Sequence, residues 1–543
     1  MNRQKGSQLP DYGTIKLFNE MCNWTKGEVN ESLMREWEGI ISLGKIKMKK
    51  SLKTILSLTA LVVLICCLVL STAYIWLTRP SERELWRMMQ YNRIDHLTIV
   101  DNILLFEGYK KDDSTECICV YAVNKLTGKA IWSTEELAKP YIEKEKKLQT
   151  DPGQIPGINY IVSFSEPNAV VYVMVNFETL FALNSSDGKV IWQRDFSGIY
   201  PLTFFDSFSN ESVFLIDAQS NLVALDIKTG KELWNKPTTW GKDQYAWLKY
   251  NNNVVYATLG FDSYKQHLVF DAKTGRKIWE TKTRAISSAF AFSDNMLFSS
   301  NLDSWDNRNH IYLTAFDIHT GQKTWEASFQ ELTLGALATN TIDDQVYVIV
   351  DKNRDTFYRV ARLVVMSEQT GEILWQFNSD FSHGSISYFI KNDLVYIGTE
   401  DGYVFALDRR KTGQEIWKTK MPAFPTYFIL NGDSLLAGFR NNYLAALDLK
   451  SGKKRWELNL NVDTIYEEGW FEAREVMMIQ GNILFVSSKK PAVYAVDVSN
   501  GKLLWSWQQN ILPWHSIYTL GLIESDIIYV FNDEGLFALK TGK

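Results

Sequence analysis

The chain has 543 residues, 45% of them hydrophobic, and a formal net charge of -5, so it can bury a large core and lacks the basic excess of a nucleic-acid-binding surface. No nucleic-acid partner is expected. Five cysteines in such a length exclude a disulfide-dependent scaffold, and none is spaced as part of a zinc site.

Residues 1–53 read as a cytoplasmic N-terminal segment, with one short helix expected over Glu31 to Ile46. Met48 followed by Lys49-Lys50 also reads as a start, which would leave Met1 to Lys47 as an upstream extension of the reading frame. Thr54 to Leu77 holds no charged residue, and about 20 apolar residues suffice to cross a bilayer as a helix. The stretch 54–77 is therefore predicted as one transmembrane helix, a single-pass signal anchor. Lys45, Lys47, Lys49, Lys50 and Lys53 crowd its N-terminal flank, which places the N-terminus in the cytoplasm and residues 78–543 outside it. Two processing alternatives stay open. Ser71-Thr72-Ala73 resembles a small-x-small cleavage site, although the apolar run is long for a signal peptide. Cys66 is a weak lipoprotein site, because Ile65 stands where a small residue is wanted.

From residue 121 onward one pattern recurs. Its fullest copy is Leu222-Val223-Ala224-Leu225-Asp226-Ile227-Lys228-Thr229-Gly230-Lys231-Glu232-Leu233-Trp234: two strands joined by a turn in which Gly supplies positive φ and Asp226 accepts bonds from the turn's N–H groups. A Gly four residues before a Trp returns as Gly128/Trp132, Gly188/Trp192, Gly230/Trp234, Gly275/Trp279, Gly321/Trp325, Gly371/Trp375, Gly413/Trp417, Gly452/Trp456 and Gly501/Trp505. Four residues before the Gly stand Asp226, Asp271, Asp317, Asp448 and Asp497, with Asn124, Asn184 and Ser367 as substitutes and Asp408 one residue earlier. A shortened tenth copy runs from Phe537 through Gly542. Successive Trp residues lie 39 to 60 positions apart, the period of four-stranded propeller blades.

Three places stretch the repeat. Glu135 to Gly157 predicts a short surface helix and loop; Ser300 to His310 and Asp351 to Asp355 are acidic and amide stretches without EF-hand spacing, read as solvated hairpin tips. Cys117 and Cys119 share one face of a strand.

The Ala-x-Asp-x-x-Thr-Gly-x-x-x-Trp pattern resembles the tryptophan-docking repeat of the PQQ-like propellers, a group that includes quinoprotein alcohol dehydrogenases and BamB-like outer-membrane assembly proteins. The resemblance covers roughly residues 95 to 543 and implies an all-β, multi-bladed propeller of four-stranded antiparallel blades. It implies that each Trp packs between neighbouring blades near the motif's small residue. That residue is Ala122, Ala182, Ala224, Ala315, Ala406, Ala446, Ala495 or Ala538, with Val269 and Val365 departing. Quinoprotein relatives hold their cofactor on the ring axis beside an adjacent Cys-Cys pair and a Ca²⁺ ion. The one adjacent pair here is Cys66-Cys67, in the apolar stretch. No catalytic residue, cofactor or metal ligand is assigned, and the six histidines, His267 among them, form no ligand-spaced pair.

The expected function is therefore a membrane-anchored, non-catalytic binding or scaffold propeller that engages a protein, peptide or cell-surface polymer through blade-connecting loops and exposed strand edges. The alternative is a quinone-linked dehydrogenase or ligand sensor with a site on the axis. Ring closure is the remaining expectation. Arg83-Glu84-Leu85-Trp86 reads like Lys231-Glu232-Leu233-Trp234, so residues near Glu82 to Met88 are predicted to supply the outer strand of the C-terminal blade, giving ten blades. The competing readings are a capping-box helix starting at Ser81 and a ring of eight blades.

Overall fold

Short runs of β-branched and aromatic residues, broken by Gly, Asn and Asp, fold into 39 strands among the described residues of the computed structural model. Residues 81–542 are described, except 112–117, 149–159, 166–168, 176–178, 197–206, 218, 239–244, 262–263, 284–289, 303–309, 331–338, 352–360, 379–385, 440–442, 461–476, 489–491, 509–518 and 533–534. The strands form ten separate antiparallel sheets, nine of four strands and one with three described strands. That one, blade 3, is extended by a bridge between Phe208 and Val213. Blades are numbered in chain order and their strands a to d, so blade 1 is Tyr91–Val100, Ile103–Lys110, Cys119–Asn124 and Ala130–Ser133.

The a strands of successive blades stand beside one another, as Ile386–Lys391 does with Pro425–Asn431 and Met477–Gln480 with Thr519–Glu524. They form the hub, and the d strands form the rim. Strands b and c are covered on both faces by neighbouring blades and so are buried along their length, as in Val170–Val175 and Ser212–Ile216. A d strand buries little besides its Trp, the third residue of Glu232–Pro237.

Ring closure follows the predicted route. Ser81 accepts a turn bond from the Glu84 N–H, and Glu84–Met88 then runs as a strand rather than a capped helix. It pairs with Gly535–Lys540, with Trp86 opposite Ala538, and completes blade 10 outside Thr519–Glu524 and Ile527–Asn532. The ring has ten blades, not eight. Arg83 reinforces the junction: its guanidinium donates to the Gly542 carbonyl at 2.5 Å and lies 4.5 Å from the centre of the Trp505 ring.

The expected fold is corrected in one respect, the membrane-spanning helix ahead of the propeller. Among the described residues no helix is long and apolar enough to cross a membrane. The predicted surface helix is present as Glu135–Leu148, 14 residues rich in Glu and Lys, which at 1.5 Å per residue reaches about 21 Å and has the wrong chemistry for lipid. Its Ala138 and Ile142 pack on the blade 1 core. Residues 1–53 and 54–77 lie outside the described residues, as do most of 300–310 and 351–355 and Cys117.

Glu84 and Leu539 are directly opposed, so their Cα atoms fall within the span a disulfide bridges. The double variant Glu84→Cys, Leu539→Cys is expected to oxidise to an intramolecular crosslink. Mass spectrometry of a proteolytic digest checks this, and two unlinked cysteines under oxidising conditions would contradict the closure.

Candidate functional site

The turn between strands c and d is the unit that joins blades. In blade 3, Asp226 Oδ1 accepts from the N–H groups of Lys228 and Thr229 at 3.1 and 2.7 Å and from the Thr229 hydroxyl at 2.7 Å. The Gly230 N–H donates to the Asp226 carbonyl at 2.9 Å, and Gly230 takes φ +67°. Asp271, Asp317, Asp448 and Asp497 cap their turns in the same way, and Asn124 and Asn184 do so with an amide oxygen. The Thr229 and Thr274 hydroxyl bonds hold the Asp226 and Asp271 carboxyls below their usual range, and at Asp448 the Arg455 guanidinium does so first. At Asp317 burial pushes upward and is outweighed by the Thr320 bonds. The residue after each cap donates its N–H to the a–b turn of the same blade in all ten blades, from Lys125 to Asn102 through Thr541 to Asp526. The two turns on this face are thus tied together.

Each docking Trp lies on the turn of the next blade. A Cβ built at Gly128, Gly188, Gly230, Gly275, Gly321, Gly371, Gly413, Gly452 or Gly501 would strike the ring of Trp86, Trp132, Trp192, Trp234, Trp279, Trp325, Trp375, Trp417 or Trp456 respectively. In eight joints the indole N–H also donates to the carbonyl of the residue after the cap, for example Trp192 to Ile227 at 3.1 Å and Trp234 to Ala272 at 2.9 Å. Within its own blade each Trp stands opposite the small residue, as Trp234 does with Ala224. Trp279 and Trp375 stand opposite Val269 and Val365.

Two joints differ. Blade 7 has one extra turn residue between Asp408 and Gly413, and Trp375 Nε1 meets no acceptor. Arg409 instead crosses this joint. It is buried, donates to the Asn392 carbonyl at 2.5 Å, and pairs with Asp343 of blade 6. Burial pulls the Arg409 proton affinity down, but Asp343 and Tyr347 more than offset it. At the joint of blades 9 and 10, Trp505 Nε1 also meets no acceptor, and Arg83 covers its ring. Gly542 does not occupy the docking position: it lies four residues after Ala538, whereas Gly230 lies six after Ala224, and no atom lies within 4 Å of where its Cβ would be.

The rim is the other surface with a repeated chemistry. Because side chains alternate along a strand, the residue before each docking Trp points away from the joint. Leu85, Ile131, Ile191, Leu233, Leu374 and Ile416 are exposed there, between 39% and 49%. No group of three His, Cys, Asp or Glu suited to a metal occurs among the described residues, and Cys119 is buried in strand c of blade 1.

The sequence profile described as outer membrane protein assembly factor BamB matches residues 119–282, 224–354, 264–428 and 309–542. The chain belongs to the BamB family of PQQ-like propellers. Among curated relatives, tetrathionate hydrolase of Acidithiobacillus ferrooxidans is 21% identical over 420 residues, covering 72% of this chain and 70% of the relative. BamB of Moranella endobia is 23% identical over 49% of this chain and 67% of its own length. The dehydrogenase subunit of the quinone-dependent alcohol dehydrogenase of Acetobacter aceti is 22% identical over 46% of this chain and 38% of its own length.

Trp234→Ala removes a ring buried between blades 3 and 4 and is expected to cost about 3 to 5 kcal/mol; Gly230→Ala, forced to positive φ against the Trp192 ring at 2.6 Å, should cost more than about 1 kcal/mol. Urea unfolding of both variants checks these values. Because the folded Asp226 carboxyl binds its proton less readily than the unfolded one, its contribution is present above the usual Asp pKa of about 3.9 and is lost as pH falls below it. Asp226→Asn, which keeps the acceptor as Asn124 does, should shed part of the acid loss. Thermal midpoints between pH 3 and 7 measure it.

Proposed function

We propose that this BamB-family chain is a non-catalytic binding or scaffold propeller that works outside the cytoplasm and receives an extended segment of a protein partner at its rim. The observation that carries the reading is the run of exposed aliphatic side chains on four consecutive blades, 10, 1, 2 and 3, at Leu85, Ile131, Ile191 and Leu233. Each sits on the outermost strand of its sheet, where the outer backbone groups can pair with an added strand and the aliphatic residue can fill with apolar contact. Burying such a residue contributes about 1.5 to 3 kcal/mol. The family description and one relative's name support a protein partner and an extracytoplasmic setting, since both read outer membrane protein assembly factor BamB.

A photo-crosslinking residue placed at Leu233 in cells is expected to capture a polypeptide, with capture lost when the neighbouring rim residues Ile131 and Ile191 carry Lys. External protease in cells with a permeable envelope and an intact inner membrane should digest the propeller. Protection of the propeller, or equal capture by the Lys variants, would overturn the reading.

An enzyme or ligand sensor with an axial site is the second reading, favoured by the long match to tetrathionate hydrolase and by the quinone alcohol dehydrogenase. Stoichiometric binding of PQQ with Ca²⁺ and dye-linked alcohol oxidation by the purified chain would establish its quinone-linked form.

A further inference from the structure

The joint between blades 4 and 5 is built from different chemistry than its neighbours. Two residues before the small position of strand c, the other nine blades carry a valine or leucine, such as Leu222 in blade 3 and Leu313 in blade 5, and these are buried. Blade 4 has His267 there, 1% exposed on strand Tyr264–Asp271. Thr258, directly opposite it, and Tyr256 lie on Val254–Phe261 of the same blade, and Ser299 faces it from Met296–Leu302 of blade 5.

Hydrogen bonds run through this cluster in one direction. The Thr258 hydroxyl donates to the Tyr256 oxygen at 2.7 Å, which turns the Tyr256 proton toward His267 Nδ1. Burial pushes the Tyr256 phenol up, so it keeps that proton. Thr258 Oγ1 also lies 3.4 Å from Nδ1. Nδ1 is thereby an acceptor, and the proton of the neutral ring belongs on Nε2, 3.4 Å from Ser299 Oγ. On the blade 5 side Ser299 stands opposite Thr314, whose hydroxyl donates to Glu326 Oε2 at 2.9 Å. The rest of the seam is apolar: Val269, Trp279, Leu297, Phe316 and Ile318.

A second proton on the imidazole would set an N–H against the phenol O–H and place a positive charge in an apolar seam. Among the described residues, the charged groups that face the seam do little to receive it. Lys249, on strand a of blade 4, has the same sign and holds its ammonium over the Phe292 ring of blade 5. Glu326 is on the rim, bonded to Thr314 and paired with Lys323. We infer that the blade 4–5 joint is an acid-sensitive seam, in which proton uptake at His267 separates these two blades while the joints that carry valine or leucine at this position hold. The sign follows from linkage: the open seam accepts a proton that the closed seam opposes, so opening is favoured as pH falls below the range where free imidazole titrates, about 6.5. One proton can raise the opening constant by at most about tenfold per pH unit.

Hydrogen exchange of the whole chain at pH 7.5 and 5.5, corrected for the intrinsic pH dependence of amide exchange, tests this. Protection is expected to fall severalfold at pH 5.5 in peptides from 254–271 and 296–302 and to stay level in 403–420. His267→Leu, the residue type of most other blades, is expected to abolish the acid difference, and Tyr256→Phe, which removes the opposing O–H, to move the opening to lower pH. Either variant suffices if the other fails to fold. An acid loss spread evenly over all blades, or one that persists unchanged in the folded variant, would overturn the inference.

Discussion

The ring depends on one contact, the indole of each docking tryptophan laid against the glycine of the next blade. The stack requires a residue without a Cβ at positive φ, which is why a Trp192 ring atom comes within 2.6 Å of where a Gly230 Cβ would be. The carbonyl that receives the indole N–H must also be held in place. The Asp226 cap and the Ile227 N–H bond to Glu211 fix the two ends of that peptide. A single such hydrogen bond contributes about 1 kcal/mol net, and the buried aromatic surface contributes more. Repetition around the ring makes the fold a chain of nearest-neighbour terms.

The joints that break the rule show what the rule supplies. At blades 6 and 7 a one-residue insertion leaves Trp375 without its acceptor, and a buried arginine with a largely exposed aspartate spans the gap. An ion pair of this kind is sensitive to loss of either partner, because the remaining charge is left in a poor solvent. At blades 9 and 10 the docking turn is replaced by Thr541 and Gly542 with Arg83 laid over Trp505. Both solutions use a guanidinium, whose planar face suits an aromatic ring and whose donors suit carbonyl and carboxylate oxygens.

Much of this was legible in the residues because the docking unit is local: Asp226 through Trp234 contains cap, turn, glycine and ring within one hairpin. The outer strand at Glu84–Met88 was legible because it repeats the Lys231–Trp234 chemistry, although Ser81-Glu82-Arg83-Glu84 has equally good helix-start character and only the pairing with Gly535–Lys540 decides it. Gly542 misleads, since Thr-Gly recurs there two residues out of register with the docking glycines. His267 belongs to no ligand-spaced pair, so the linear spacing of histidines gives it no signal. Its signal lies in alignment of the blades, where it interrupts a column of valines and leucines. Arg409 was hidden for a different reason: the extra turn residue is plain, but its partner Asp343 is 66 residues away. The rim aliphatics follow from strand alternation beside each Trp, but their exposure depends on the d strand having no outer neighbour. A 24-residue uncharged stretch at 54–77 satisfies a hydropathy rule without reference to any neighbour, and so it said nothing about the all-β fold that follows.

Closure by a strand from the far end of the chain sets the order in which this ring can be made. Arg83 and Gly542 are 459 positions apart, so the first strand of the propeller to leave the ribosome is the last to find its place. At roughly 5 to 20 residues per second, it waits on the order of half a minute or more while nine blades assemble one upon another. During that interval the open ring presents the unpaired strand edge of Glu84–Met88, which waits for Gly535–Lys540. Blades 1 to 9 are completed by neighbouring segments, whereas the tenth must close the longest loop in the molecule, and contacts of such separation form slowly. Ring closure is therefore a distinct late event in the life of the chain, and the period before it is when this protein most needs its surfaces kept apart from those of other copies.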